Sequence, residues 1–144
     1  MVEKKQTITK AGGVIFNHDK TKLLIVHQMS KGKPAKWGCP KGHKKNNELY
    51  YHCAFREMYE ELGIKIRTNN NDPKIKVGNT LYYPYIVKDI DINLIPVDKL
   101  EICEIRLINP EDTEEIDKNY ELKKIINNID IFREKAIPSY IIKK

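Results

Sequence analysis

Glu57, Glu60 and Glu61 crowd three carboxylates into the run Arg56-Glu57-Met58-Tyr59-Glu60-Glu61-Leu62-Gly63-Ile64. Carboxylate oxygens are hard ligands that suit Mg2+ or Mn2+, ions that take a few carboxylates, keep several waters and share a substrate's phosphate oxygens. A helix from Leu49 to Leu62, at about 3.6 residues per turn, gathers the three acids within roughly 100° of arc. The same helix is expected to place Tyr51, Ala54, Phe55, Met58, Tyr59 and Leu62 on the opposite side. Solvation is the ordinary reason for an acidic helix face, and it fits poorly here. Glu57 and Glu61 are like charges one turn apart, a repulsion of about 0.2 to 0.5 kcal/mol in a free helix, with Arg56 and Lys65 the near cations. A divalent ion turns that repulsion into binding. Such an ion can neutralise phosphate oxygens and acidify an attacking water, so phosphoryl transfer needs no covalent nucleophile.

The acids belong to a longer pattern: Gly42, five residues, Glu48, seven residues, then the run that begins at Arg56. This segment resembles the signature of the Nudix hydrolases at every fixed position, with Met58 and Ile64 in the two aliphatic slots. Ala11-Gly12-Gly13-Val14-Ile15 and Trp37-Gly38-Cys39-Pro40-Lys41-Gly42-His43 also look like Nudix sequence. The resemblance implies an α/β/α sandwich on a mixed sheet and a Mg2+ or Mn2+ cofactor. It implies Glu57, Glu60 and Glu61 as catalytic metal ligands, with the Gly42 carbonyl nearby as another. Glu48 and Arg56 look like the structural pair that ties the loop to the helix.

A base must also take a proton from the water, and in this family it is a helix glutamate or one on a later strand or loop. For the later position Glu101 and Glu104 compete. Lys99-Leu100-Glu101-Ile102-Cys103-Glu104-Ile105 resembles the strand before the last helix of mRNA-decapping Nudix proteins, which favours Glu101. Strict alternation puts Glu101, Cys103 and Ile105 on one face and Ile102, Glu104 and Arg106 on the other.

The formal net charge is +6 in spite of the acidic helix. Lys31, Lys33, Lys36, Lys41, His43, Lys44 and Lys45 gather beside the signature loop, and Lys118, Lys123, Lys124, Arg133, Lys135, Lys143 and Lys144 along the C-terminal segment. Such patches attract polyanions, whether RNA or a highly phosphorylated small molecule. Lys41, His43 and Lys44 are the expected phosphate contacts, and the basic loop and C-terminal helix the expected RNA contacts. Trp37, Tyr82, Tyr83 and Tyr85 are candidates for stacking on a base, with Trp37, Tyr82 and Tyr83 placed in the substrate site; such contacts contribute about 1 to 3 kcal/mol per base.

Three functions follow. Hydrolysis of the mRNA 5′ cap leads, on the likeness of Trp37 to Gly42, of Cys53-Ala54-Phe55-Arg56-Glu57 and of the Glu101 strand to decapping domains. Hydrolysis of a diadenosine or diphosphoinositol polyphosphate suits Pro40-Lys41-Gly42-His43 and the length equally well. A silent RNA- or nucleotide-binding module belongs to another class, and the intact glutamate set speaks against it.

At 144 residues the chain is read as one domain, able to remove roughly two-thirds of its extended surface from water. The N-terminus lacks the apolar stretch of a signal peptide, and no window approaches the ~18 apolar residues of a membrane span. A soluble cytoplasmic protein is expected, with oligomeric state open. Cys39, Cys53 and Cys103 read as reduced thiols. His52 and Cys53, about 100° apart on a helix, cannot easily join Cys39 and His43 around zinc.

Strands are expected at Thr7 to Phe16, Leu23 to Gln28, Ile64 to Thr68, Ile75 to Val87 with a break at Pro84, and Glu101 to Ile108. Asn109-Pro110-Glu111-Asp112 predicts a short helix to about Ile116. Leu122, Ile125, Ile126, Ile129 and Phe132 predict a second that packs on the sheet and runs until Pro138.

Overall fold

The computed structural model describes residues 7–29, 36–90, 94–97 and 102–143, and of Cys103 the backbone alone. In chain order the elements are β1 (Lys10–Phe16), β2 (Leu23–Gln28), β3 (Trp37–Gly38), β4 (Lys41–His43), α1 (Tyr50–Leu62), β5 (Ile75–Val77) and β6 (Thr80–Val87). β7 (Ile102–Ile108), α2 (Tyr120–Asn127), α3 (Ile129–Lys135) and β8 (Ile137–Ser139) complete them.

β1 is buried from Ala11 to Phe16, as befits a strand covered on both faces. It runs parallel to β6 and antiparallel to β2 and β4. The path β3-β2-β1-β6-β5 forms the sheet, with β7 beside β2 and β8 beside β6. Alternation along β1 divides the interior in two. Ala11 and Ile15 join Leu24, Val26, Tyr83 and Tyr85 against Ala54, Met58 and Leu62 of α1. Val14 and Phe16 join Leu23, Ile25 and Tyr82 against Leu122, Ile125, Ile129 and Phe132 of α2 and α3. The result is the expected α/β/α sandwich on a mixed sheet.

The paired glycines of β1 set the spacing of these layers. A Cβ on Gly12 would lie 2.0 Å from the Pro40 carbonyl oxygen, and one on Gly13 would lie 2.4 Å from Met58 Sδ. Met58 can bend away, whereas the Pro40 backbone cannot without dragging β4 from β1. Gly12→Ala is therefore expected to destabilise by about 1 to 3 kcal/mol, an overpacking cost, with Gly13→Ala costing less. Urea unfolding of both variants checks the order.

Several expected elements differ. Leu49 is the N-cap of α1, which ends at Gly63 in a left-handed conformation (φ 76°) as the C-terminal glycine predicts. The Ile75 to Val87 strand breaks at Gly78 (φ 60°), not at Pro84, which lies within β6 opposite Val14. Proline forfeits one donor and already has a φ close to that of an extended chain. In place of the strand at Ile64 to Thr68 there is a single antiparallel bridge, Ile66 to Ile141.

No helix follows Pro110. The Asn109 side chain accepts from Glu111 N at 3.0 Å and its carbonyl accepts from Asp112 N at 3.0 Å, so a local turn consumes the groups a helix start would use. The N-cap falls instead on Asn119, whose side chain accepts from Leu122 N. The last helical stretch is divided at Asn128 into α2 and α3, and Pro138 lies in β8.

Candidate active site

α1 carries its acids beside its apolar stripe and not opposite to it. Cys53, Ala54, Glu57, Met58, Glu61 and Leu62 are the buried residues, while Phe55 and Tyr59 are half-buried. Glu57 and Glu61 lie one turn apart, as do Ala54, Met58 and Leu62, so the two stripes are neighbours about 100° apart. The helix thus delivers two carboxylates to the edge of the core, where burial amplifies every charge interaction.

Arg56 organises that edge. Its Nε donates to Glu48 Oε2 at 2.7 Å and its Nη2 to Glu48 Oε1 at 2.9 Å, a two-point grip on the loop before α1. Nη2 also donates to the His43 carbonyl at 3.0 Å. Nη1 donates to Glu57 at 2.8 Å and to Glu60 at 3.2 Å. Gln28 Nε2, at the end of β2, donates to Glu61 Oε1 at 3.0 Å.

Gly42 brings the loop backbone against these acids. A Cβ there would lie 2.1 to 2.3 Å from the Glu57 carboxylate, so the missing side chain is what admits it. Burial pushes the Glu57 carboxyl above its ordinary pKa, the Glu60 charge raises it further, and Arg56 draws it back. Positive charge is in demand at this position.

The donor set consists of carboxylate and carbonyl oxygens, the ligands that suit Mg2+ or Mn2+ in kind and charge. Among the described residues, no three histidine, cysteine, aspartate or glutamate side chains are assembled as a metal cage. Arg56 Nη1 holds Glu57 and Glu60 together, Gln28 holds Glu61, and Glu57 and Glu61 also lie within hydrogen-bonding reach of each other. An incoming ion has to share or replace those hydrogen bonds.

Glu48 shows how strongly Arg56 acts. The guanidinium, aided by the Lys45 N–H at 3.0 Å, holds the Glu48 carboxyl down to about 2 against an ordinary 4.5. A depressed carboxylate stabilises the fold fully above its unfolded pKa and loses that contribution as pH falls through the folded one. Stability is therefore expected to drop between about pH 4.5 and 2, and Glu48→Gln to flatten that part of the profile. Denaturant midpoints recorded at intervals across this range check both.

A cleft of about 530 Å3 opens beside these groups, lined by Lys10, Gln28, Met29, Lys41, Gly42, His43, Lys44, Lys45, Arg56, Glu57 and Glu60. Lys41, His43 and Lys44, the expected phosphate contacts, are among its lining residues. Lys10 and Gln28 were not foreseen, since each ends a strand far from the signature and reaches the cleft through sheet pairing. Burial lowers the Lys10 pKa, and the neighbouring Lys41 charge lowers it further.

The stacking expectations are corrected. Tyr82 is fully buried and donates from its hydroxyl to Glu121 at 2.6 Å. Tyr83 is 1% exposed in the α1 core, where burial pushes its phenol up to about 12. Neither presents a face to a base, and Tyr85 is buried as well, with its hydroxyl on Asp72. Trp37 is 7% exposed; His27 stacks on it at 4.6 Å and the Arg106 guanidinium lies over it at 4.8 Å. Alternating polarity hides such burial, because a strand covered on both faces needs no polar side.

The β7 faces also differ from strict alternation. The register against β2 shifts between His27 and Gln28, so Ile102 joins the same core as Ile105 and Leu107. Glu104 is exposed and pairs with Arg106 at 2.5 Å. Glu101, and Lys31, Lys33 and Lys144 of the basic clusters, lie outside the described residues. Lys118 donates to the Thr113 carbonyl at 2.6 Å and Lys124 lies over the Tyr120 ring, and neither lines the cleft.

Residues 7–129 match the family model described as NUDIX domain. Solved structures share the fold. A C. elegans Ap4A hydrolase in a binary complex is 18% identical over 89% of this chain and 98% of its own, with a TM-score of 0.66. The MutT protein from Methanosarcina mazei Go1 is 16% identical, over 93% and 100% respectively, with a TM-score of 0.64. A NUDIX hydrolase from Nitrosomonas europaea is 16% identical, over 97% and 82%, with a TM-score of 0.61.

Proposed function

The chain belongs to the NUDIX domain family, and from that premise we propose that it hydrolyses a phosphoanhydride in a nucleoside-diphosphate-linked substrate, with a dinucleoside polyphosphate the favoured one. Enzymes of this family generally use divalent metal ions. One observation carries the reading: Lys10, Lys41, His43, Lys44 and Lys45 line the same cleft as Glu57 and Glu60. Such a site opposes a cationic wall to an anionic one, the arrangement a polyphosphate held against a metal ion requires. The C. elegans Ap4A hydrolase, whose fold this chain shares, adds support for the dinucleoside class.

Glu57, Glu60 and Glu61, with the Gly42 carbonyl, are the residues that would hold the ion, here proposed as Mg2+ or Mn2+. When bound, it supplies charge neutralisation on the bridging phosphates and a more acidic water. Lys10, Lys41 and Lys44 bind and orient the phosphate chain. Arg56 fixes the directions of Glu57 and Glu60, and Gln28 that of Glu61. The acceptor of the water's proton is proposed to be Glu101 or a helix glutamate. Glu104, engaged with Arg106, is the weaker candidate.

Cap hydrolysis becomes the second reading. It retains the likeness of the Trp37 to Gly42 segment but loses the stacking surface that Tyr82 and Tyr83 were to supply, since both are buried. Diadenosine tetraphosphate, capped RNA, a diphosphoinositol phosphate and an oxidised nucleotide, each incubated with Mg2+ or Mn2+, separate the possibilities. Cleavage of diadenosine tetraphosphate is expected. Release of methylated nucleoside diphosphate from capped RNA, without turnover of the dinucleotide, would reverse the order.

A further inference from the structure

We propose that Glu121, in the first turn of α2, is a positioning residue for the substrate's phosphates: its carboxylate holds the Lys41 ammonium at the wall of the cleft from behind. The inference rests on the reading of that cleft as a polyphosphate site. Glu121 is 7% exposed and does not line the cleft, whereas Lys41 does. Glu121 Oε1 stands 3.3 Å from Lys41 Nζ, with both side chains largely out of solvent.

The carboxylate also accepts from two neutral donors. The Tyr82 hydroxyl donates to Oε1 at 2.6 Å and the Thr80 hydroxyl to Oε2 at 2.9 Å. The carboxylate is thereby fixed in direction by β6, and it fixes Lys41 of β4 in turn. Its own helix is tied to β3: Asn119 N donates to the Trp37 carbonyl at 2.9 Å, and a Cβ on Gly38 would lie 2.2 Å from Asn119 Nδ2.

Charge completes the argument. Lys10 also feels the Glu121 carboxylate that pairs with Lys41, so this buried acid gathers two cations at the cleft wall. A buried ion pair adds little stability over apolar packing, so placement of the lysine is the better reason for this glutamate.

Glu121→Gln keeps the shape and an acceptor for the two hydroxyls but removes the charge from Lys41. With diadenosine tetraphosphate, KM is expected to rise about tenfold with kcat within about twofold, the mark of lost ground-state binding. Calorimetric binding of inorganic tripolyphosphate should weaken by a similar factor. Tyr85→Phe, which removes a comparable buried hydroxyl from a different carboxylate, Asp72, should leave both unchanged. Lys41→Met combined with Glu121→Gln should be no worse than Lys41→Met alone, because the two act as one unit.

Unchanged tripolyphosphate binding in Glu121→Gln, or effects that multiply in the double variant, would overturn the inference. If Glu121→Gln does not fold, Glu121→Asp, one methylene short of Lys41, carries the same expectation at smaller size. The two readings fail separately. Loss of tripolyphosphate binding in a protein that cleaves no nucleotide leaves Glu121 in its role and removes the proposed reaction; normal turnover with unaltered binding does the reverse.

Discussion

Replacing Glu61 with glutamine is expected to lower kcat by about a hundredfold or more while the fold survives. Glu61 is 2% exposed, and its Oε1 accepts from Gln28 Nε2 at 3.0 Å. Glutamine has the same shape and can keep that hydrogen bond with its carbonyl oxygen, so packing at the edge of the core is preserved. What disappears is a full negative charge at the site proposed for the ion. Metal-borne charge stabilisation is worth several kcal/mol in a phosphoryl-transfer transition state, and about 3 kcal/mol is already a hundredfold in rate. Steady-state kinetics and circular dichroism on the same preparation give both halves of the result. A variant with the parental rate would remove Glu61 from the metal site.

The second large effect falls on stability. Arg56→Ala is expected to cost about 3 to 5 kcal/mol, the usual penalty for removing one partner of a substantially desolvated ion pair. This single guanidinium serves Glu48, Glu57, Glu60 and the His43 carbonyl. Without it, three carboxylates face one another beside the core, and the loop from Gly42 to Glu48 loses its tie to α1. That is a large share of the roughly 5 to 15 kcal/mol that holds a domain together. Arg56→Lys should recover less than half, because an ammonium cannot make the two-point contact with Glu48. Mn2+ should recover part of the loss in Arg56→Ala, since an ion can replace the missing positive charge. Urea unfolding with and without Mn2+ measures each quantity, and a cost below about 1 kcal/mol would show that Arg56 is dispensable.

What could be read in the chain, and what could not, divides by range. The ties of Arg56 within Gly42 to Ile64 are local, so helical spacing showed α1 and the family resemblance supplied the Glu48–Arg56 pair. Gly63 at the helix end was equally legible, because its left-handed conformation answers a local need. The bounds of β2, Leu23–Gln28, were legible to the residue, in a strand whose four apolar residues are all buried. Aromatic type misled for Tyr82 and Tyr83, because a strand between two helical layers buries both of its faces. Strict alternation misled at Ile102, where β7 skips a residue in its ladder with β2, stepping from Glu104 to Ile102, and so reverses the phase.

Pro110 looked like a helix start because the residues themselves were suitable. The Asn109 turn competes for the same backbone groups, and composition does not register that competition. Glu121 illustrates the longest range. Its partners Thr80 and Tyr82 lie 41 and 39 positions away, and nothing near it in sequence hints at a buried charge. Lys10 and Gln28 reach the cleft for a similar reason, through pairings of β1 and β2 that depend on the whole sheet.

The central claim is that the carboxylates of α1 hold a divalent ion against a phosphoanhydride, and diffraction from manganese-soaked crystals tests it most directly. An anomalous peak bounded by Glu57, Glu60 and Glu61 is expected, with Glu57 and Glu60 drawn from Arg56 and Glu61 from Gln28, and no such peak in Glu61→Gln crystals. An empty map there at millimolar Mn2+, with the three acids still on their Arg56 and Gln28 partners, would contradict it.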